Sequence, residues 1–208
     1  MTDPAWILTK NSVMGKVVAL MAALSEDYKE IWVERPAGGG VSEAIAAAFT
    51  AGPKISRGEQ YRGLPWVMLD YPRAFSREDV LAIRTMFWWG HTFSVTLHLK
   101  GCYQQLLLPV IQARRGVLAA AGFHVGVGDD EWRHELAPDN YMPLPDFGGD
   151  DLTARYGFFK LSAAIGVDRW AEAPTALPGM YRALVEIINY PIGERGPSPD
   201  SSRAGSDL

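Results

Sequence analysis

Residues 92–99 alternate strictly between apolar and polar side chains, and this alternation restricts the fold more than any other feature of the sequence. The apolar members are Phe93, Val95, Leu97 and Leu99, and the polar members are Thr92, Ser94, Thr96 and His98. Successive side chains of a β-strand point to opposite faces of a sheet, so the segment predicts a strand with one buried face. Such a sheet needs other elements to cover that face.

The remaining segments predict both helices and strands. Asn11 and Ser12 are good N-caps, and the apolar residues behind them recur at helical spacing over about five turns. Ser76, with Asp79 three residues later, resembles a capping box and predicts a short helix after it. Further strands are predicted at 64–71 and 155–165, and further helices at 42–50, 103–121 and 178–188. The mixture predicts the α+β class, with helices packed on an antiparallel or mixed sheet.

The Gly128-Asp129 dipeptide suits the turn of a two-residue β-hairpin. In that register His134 shares an apolar face with Phe123, whereas His124 points to the other face. The predicted hairpin strands are 123–127 and 130–136.

The histidines stand at positions 91, 98, 124 and 134. His91 and His98 would face opposite sides of one regular strand, and the predicted hairpin separates His124 from His134. The acidic residues at 129–131 and 146–151 are typical of solvated turns. No metal site is therefore predicted, and since no nucleotide-binding fingerprint occurs, no cofactor is predicted either.

Composition narrows the classes of protein further. With 20 Lys and Arg against 24 Asp and Glu, the chain lacks the basic balance of a dedicated nucleic-acid binder. The single Cys102 excludes an intramolecular disulfide framework and a Cys-rich zinc site. An acid and a proline near the start do not resemble a secretory signal, and the aliphatic runs are shorter than a bilayer requires. We therefore expect a cytoplasmic protein that does not bind a membrane.

One domain is predicted over residues 1–190. Within it, 36–63 is rich in glycine and is expected to hold mobile loops around the short helix at 42–50. Residues 191–208 are dominated by Gly, Pro, Ser and isolated charges, so we expect a disordered tail.

Residues 54–84 form the most unusual block, because six basic side chains stand there against four acidic ones and are interleaved with aromatic rings. Planar cations beside aromatic walls can bind a small anionic ligand or a protein partner. The residues predicted to form this basic, aromatic binding surface are Lys54, Arg57, Tyr61, Arg62, Arg73, Trp88 and Trp89. In the alternative interpretation, the tryptophans belong to the core and the arginines pair with Asp70, Glu78 and Asp79.

A cofactor-free enzyme is the alternative function. His98 could act as a general base, because an imidazole titrates near neutral pH and needs one orienting partner. Asp70 and Cys102 are the candidate partners, and Cys102 follows His98 by four residues. A small buried thiol at the end of the strand is the simpler interpretation of Cys102.

The segments 53–73, 87–90 and 96–99 together resemble a block found in uncharacterised bacterial proteins without an assigned activity. Tyr-Arg-Gly-Leu-Pro-Trp at 61–66 stands at the centre of this block. The resemblance implies a bacterial, cytoplasmic origin, and it transfers no functional residue to this chain.

Overall fold

The computed structural model describes residues 4–34, 43–148 and 157–190. Five α-helices lie in these ranges: α1 (Ala5–Val33), α2 (Glu43–Thr50), α3 (Cys102–Ala113), α4 (Arg115–Ala120) and α5 (Ala173–Ile188). The strands of the same ranges are β1 (Lys54–Tyr61), β2 (Leu64–Phe75), β3 (Val80–Trp88), β4 (Thr92–Lys100), β5 (His124–Gly126), β6 (Tyr141–Pro143) and β7 (Phe158–Gly166). The predicted α+β class is confirmed.

All seven of these strands join one antiparallel sheet in the order β1-β2-β3-β4-β7-β5-β6. The first four form a meander in which each strand pairs with the next. β4 is the middle strand, and it pairs with β3 on one side and β7 on the other along its whole length. The segment with the strict alternation therefore lies at the centre of the sheet.

The helices cover one face of the sheet and bury the apolar side chains of β4. Leu97 and Val95 are completely buried there, as the alternation predicts. α1 packs on β2 and α5, and α5 packs on β4. The Tyr28 ring of α1 stacks on Tyr181 of α5 at 3.7 Å, and the Tyr28 hydroxyl forms a hydrogen bond of 2.9 Å with Thr85 of β3. Aromatic stacking and this hydrogen bond thus join the helix layer to the sheet.

The opposite face of the sheet carries polar and charged side chains, and we call it the polar face. Its buried or half-buried members include Asp70, Arg84, Ser94, Thr96, His98, Lys160 and Ser162. Residues 127–140, which we call the crossing segment, contribute side chains and carbonyl oxygens to contacts with this face. Buried charges require partners, and the crossing segment supplies some of them, so these contacts fix its position on the sheet.

Ser76 begins a turn instead of a helix. Its Oγ accepts a hydrogen bond of 2.8 Å from the Asp79 N–H and one of 3.3 Å from the Glu78 N–H. The chain then reverses directly into β3, which exchanges main-chain hydrogen bonds with both β2 and β4. The prediction of a helix after Ser76 is wrong, because the same spacing satisfies amide groups in a hairpin turn.

The predicted pairing of 123–127 with 130–136 is also wrong. β5 pairs with β6 and β7, and residues 130–136 have no regular structure. His134 contributes to a cavity on the polar face, whereas Phe123 belongs to the core. Lys160 of β7 binds the carbonyl oxygens of Asp130, Glu131 and Arg133. These contacts between distant residues, and not the local turn signal, determine where 130–136 lies.

Two helix boundaries differ from the predictions. α1 begins at Ala5, so Asn11 and Ser12 lie within the helix and do not cap it. The single helix predicted at 103–121 is divided into α3 and α4 at Arg114. Pro109 lies inside α3, five residues before this break.

The segment 36–63 contains more regular structure than predicted. Its helix, α2, is confirmed within one residue, but residues 54–61 form β1 rather than a loop. Residues 36–42 and the predicted tail at 191–208 lie outside the described residues.

By length and composition, α1 could cross a membrane. The core helix of a globular protein and a signal sequence both meet the same test. α1 buries Val17, Met21 and Leu24 against the rest of the domain, whereas most of its apolar window is not buried. The absence of a membrane segment stays a prediction.

The two serines predicted to cap helices allow a matched test. Ser76→Ala should lower the free energy of unfolding by about 1 kcal/mol, because it leaves two turn amides without their acceptor. Ser12→Ala should leave it unchanged or raise it by up to about 0.5 kcal/mol, because alanine is the better residue inside an exposed helix. Urea unfolding of both variants measures the difference, and a larger loss in Ser12→Ala would contradict the observed start of α1.

Candidate functional site

The register of the sheet places the polar side chains in rows across the strands. Arg84 of β3 lies opposite Asp70 of β2 and Thr96 of β4. In the next row, His98 of β4 lies opposite Lys160 of β7. These residues share a face because each occupies an alternate position of its strand.

Asp70 and Arg84 form a buried ion pair. Arg84 Nε donates to Asp70 Oδ1 at 2.8 Å, and the two side chains are 13% and 8% exposed. The guanidinium carbon lies 5.3 Å from the centre of the Phe75 ring and 5.7 Å from that of Trp132. Within the described part of the chain, the buried Arg84 Nη1 has no hydrogen-bond partner. The guanidinium thus keeps one donor group unused.

His98 is only 1% exposed, and its imidazole is neutral at physiological pH. Burial, reinforced by the charges of Lys160, Arg84 and Lys100, lowers the pKa of His98 to about 3. Nε2 lies 3.4 Å from Glu131 Oε2, outside hydrogen-bonding geometry. Neither ring nitrogen has a hydrogen-bond partner among residues 4–34, 43–148 and 157–190.

Lys160 links β7 to the crossing segment. Its Nζ donates to the carbonyl oxygens of Arg133, Glu131 and Asp130 at 2.7, 3.2 and 3.4 Å. Burial lowers the pKa of Lys160 to about 8. Sequence analysis missed this residue, although a lysine between Phe159 and Leu161 in an apolar strand is a signal for a buried, partnered cation.

A second polar cluster joins the β1–β2 turn to the crossing segment. Glu135 accepts a hydrogen bond from the Tyr61 hydroxyl and pairs with Arg62 Nη2 at 2.5 Å. Arg133 Nε also donates to Glu135, at 2.8 Å, and the His134 N–H donates to the Tyr61 hydroxyl at 2.7 Å. Two of the predicted ligand-binding residues, Tyr61 and Arg62, therefore also hold the crossing segment.

Between these contacts lies a cavity of about 460 Å³, which we call the site cavity. Aromatic rings, two methionines, the Arg84 guanidinium and the Glu59 carboxylate are the parts of its lining that bear on ligand chemistry, and Glu59 pairs with Lys10 at 2.7 Å. The lining residues are Ser56, Gly58, Glu59, Gln60, Tyr61, Trp66, Met68, Arg84, Met86, Trp132 and His134. Five of them lie in β1, a segment that was predicted to be a loop.

The structure separates the other predicted ligand-binding residues. Arg73 donates to the carbonyl oxygens of Gly52 and Ala51, both at 2.9 Å, and Trp89 packs against the core. Lys54 is exposed at the start of β1, and exposed Arg57 lines a different cavity, beside α1.

Trp88 lies next to the site cavity without lining it. Its ring contacts Tyr61 edge to face at 5.5 Å, and its Nε1 donates to the Tyr61 carbonyl oxygen. The Trp88 indole also stacks on the His91 ring at 3.7 Å. Trp88 therefore supports one wall of the cavity.

The structure does not join His98 to either of its predicted catalytic partners by a hydrogen bond. Asp70 is occupied by Arg84. Cys102 is exposed, and its backbone N–H donates to Asp79 Oδ1 at 2.7 Å. Partial desolvation of the sulfur and the adjacent Asp79 carboxylate raise the pKa of the Cys102 thiol, which opposes thiolate formation.

No cluster of three His, Cys, Asp or Glu side chains suited to a metal ion occurs among the residues that the structure describes. Comparison of the chain with protein-family models, with curated protein sequences and with solved structures finds no match. Inference about function therefore rests on the geometry of the polar face.

Replacing Lys160 tests whether it anchors the crossing segment. In Lys160→Met, three carbonyl oxygens lose their donor, so amides of residues 127–140 should exchange about tenfold faster, equivalent to about 1.4 kcal/mol. Lys100→Met is the matched control, because Lys100 contacts the Glu131 side chain rather than the backbone. Hydrogen exchange followed by mass spectrometry measures both variants. Equal protection in native protein and Lys160→Met would contradict the anchoring role.

The buried histidines predict acid sensitivity. Burial lowers the pKa of His98 and of His134 from 6.5 to about 3, so below pH 6.5 the unfolded chain binds protons that the folded chain excludes. The free energy of unfolding keeps the full contribution of the two neutral histidines above pH 6.5. Below that pH it should fall by up to about 1.4 kcal/mol per pH unit for each histidine. Urea unfolding at pH 7.5 and 5 should show a shallower dependence in His98→Phe and His134→Phe. An unchanged dependence in both would contradict the assignment.

Proposed function

We propose that this protein is a binding module for a small anionic ligand with an aromatic or apolar part. The observation that carries the proposal is the site cavity, where aromatic rings and methionines surround one arginine. Its volume of about 460 Å³ lies within the range of about 300–1,000 Å³ that is typical of small-molecule sites.

The lining suits the two parts of such a ligand. Tyr61 and Trp66 provide aromatic surfaces, and Met68 and Met86 adapt to irregular apolar shapes. Arg84 is the basic side chain of the lining, and one of its nitrogens has no partner among the described residues. An apolar ring in the cavity with its acidic group toward Arg84 would satisfy both chemistries.

A small ligand accounts for the arrangement better than a protein partner does. The side chains predicted to form a basic surface do not form one patch, because Arg73 is bound to backbone carbonyls and Arg57 lines a separate cavity. Arg62 pairs with Glu135, and this carboxylate compensates the charge that Arg62 could otherwise offer to a ligand. The site cavity, with Arg84 as its basic side chain, therefore supports binding of a small ligand better than binding of a protein surface.

A thermal-shift screen tests the proposal. The panel should contain aromatic carboxylates, aromatic phosphates and neutral aromatic amides, with tryptophan fluorescence as a second readout. A ligand at about 100 times its dissociation constant should add about 2.7 kcal/mol to the free energy of unfolding.

Two substitutions in β1 localise the binding. Ser56→Trp should fill the site cavity and weaken binding at least about tenfold, which corresponds to about 1.4 kcal/mol. Ile55→Trp is the matched control, because the neighbouring residue of the same edge strand points to the other face and is already 37% exposed. The proposal fails if no panel member binds, or if both variants bind as the native protein does.

A further inference from the structure

Two buried polar groups under the Trp132 indole have unused hydrogen-bonding capacity. Within the described residues, Arg84 Nη1 and both ring nitrogens of His98 lack hydrogen-bond partners. Buried polar groups in native proteins nearly always have partners, so such a pair indicates that water or a ligand supplies them. The question is which molecule fits both groups together.

Arg84 and His98 both lie near the Trp132 indole. The Arg84 guanidinium carbon lies 5.7 Å from the centre of the Trp132 ring, and the His98 ring centre lies 5.6 Å from it. Arg84 faces Thr96, and His98 stands two residues farther along the same strand on the same face. The two side chains are thus neighbours beneath one indole.

The charges around this point favour an anion. Lys100, Lys160 and Arg84 all act on the His98 imidazole, and Lys160 is buried. The carboxylates nearest to Arg84 and His98 are Asp70, paired with Arg84, and Glu131, paired with Lys100. Asp130, Glu135 and Arg133 also act on Lys160. Lys160 itself is bound by backbone carbonyl oxygens, and among the described residues no ion pair joins it to a carboxylate, so a positive charge without a direct ionic partner lies beside His98.

We propose that the Arg84 Nη1–H and a His98 ring N–H bind the carboxylate of an aromatic carboxylic acid whose ring occupies the site cavity. This inference rests on the proposed function and names the ligand class. A neutral imidazole has one N–H to donate, and Nη1 supplies a charge-assisted donor, so the two oxygens of a carboxylate receive one bond each. A carboxylate brings one negative charge next to Asp70 and Glu131, so these two residues repel it less than they would repel a phosphate with its charge of about −1.5 to −2.

In this proposal the Trp132 side chain moves aside when the ligand binds. The indole is 50% exposed and lies over Arg84 and His98. Its backbone is held, because the Trp132 N–H donates to Asp130 Oδ1 at 2.8 Å and Lys160 binds the carbonyl oxygens on both sides. The carboxylate therefore takes the place of a half-exposed ring while the crossing segment stays on the sheet.

Isothermal titration with 1-naphthoate and 1-naphthamide tests the inference, since the two probes share a ring system and differ in charge. Native protein should bind 1-naphthoate at least about tenfold more tightly, as expected for a charge-assisted contact. Arg84→Lys keeps a cation for Asp70 but removes Nη1, and His98→Phe keeps the ring contacts but removes both nitrogens. Each should lower 1-naphthoate affinity about tenfold and leave 1-naphthamide within about twofold.

Arg57→Lys is the matched control for Arg84→Lys, because exposed Arg57 lies outside the site cavity and lines the one beside α1. It should preserve the preference for 1-naphthoate. A ¹⁵N-histidine NMR spectrum of the native protein serves if Arg84→Lys or His98→Phe does not fold. The ring nitrogens of His98, identified with His91→Asn, His124→Asn and His134→Asn variants, should shift with 1-naphthoate and not with 1-naphthamide.

The outcomes separate this inference from the proposed function. If the two probes bind equally, or the His98 nitrogens do not respond to 1-naphthoate, the carboxylate site is overturned and the cavity remains a binding site. If neither the probes nor any member of the aromatic panel binds, both proposals fail.

Discussion

The contact of Lys160 with three carbonyl oxygens of the crossing segment is the interaction on which the polar face depends. Helices cover only one face of the sheet, and the other carries charges that are costly to bury without partners. By holding residues 130–133 over that face, Lys160 brings Glu131 near His98 and Trp132 over Arg84. A buried ammonium with all three of its donors engaged is thus the central connection of the candidate site.

The same arrangement holds the side chains of the site in place while leaving some of their hydrogen-bonding groups without a partner among the described residues. Asp70 orients the Arg84 guanidinium, and the Glu135 cluster fixes Tyr61 against the crossing segment. Between these fixed contacts, Arg84 Nη1 and the His98 nitrogens lack partners in the part of the chain that the structure describes. Preorganised donors lose little freedom when a ligand binds, which favours recognition of a small anion.

Sequence patterns predicted the elements whose side chains repeat over many residues. The strand β4 and the helices α1 and α5 lie where periodicity placed them, and β2 lies where a short aromatic run bounded by prolines placed it, with differences at their ends. Short signals were less informative, because the Ser76 spacing and the Gly128-Asp129 dipeptide are each compatible with more than one local structure. Of the predicted ligand-binding set, only Tyr61 lines the site cavity, and Trp88 supports its wall.

Alternation alone determined that β4 buries Phe93, Val95, Leu97 and Leu99 and turns Thr96 and His98 to the opposite face, because a strand places successive side chains on opposite sides. The surroundings of His98 were decided only by the tertiary structure. Its neighbours Arg84, Trp132 and Lys160 come from two other strands and the crossing segment. Contacts so distant along the chain depend on sheet register and on buried charge, and neither is encoded in the local pattern of one segment.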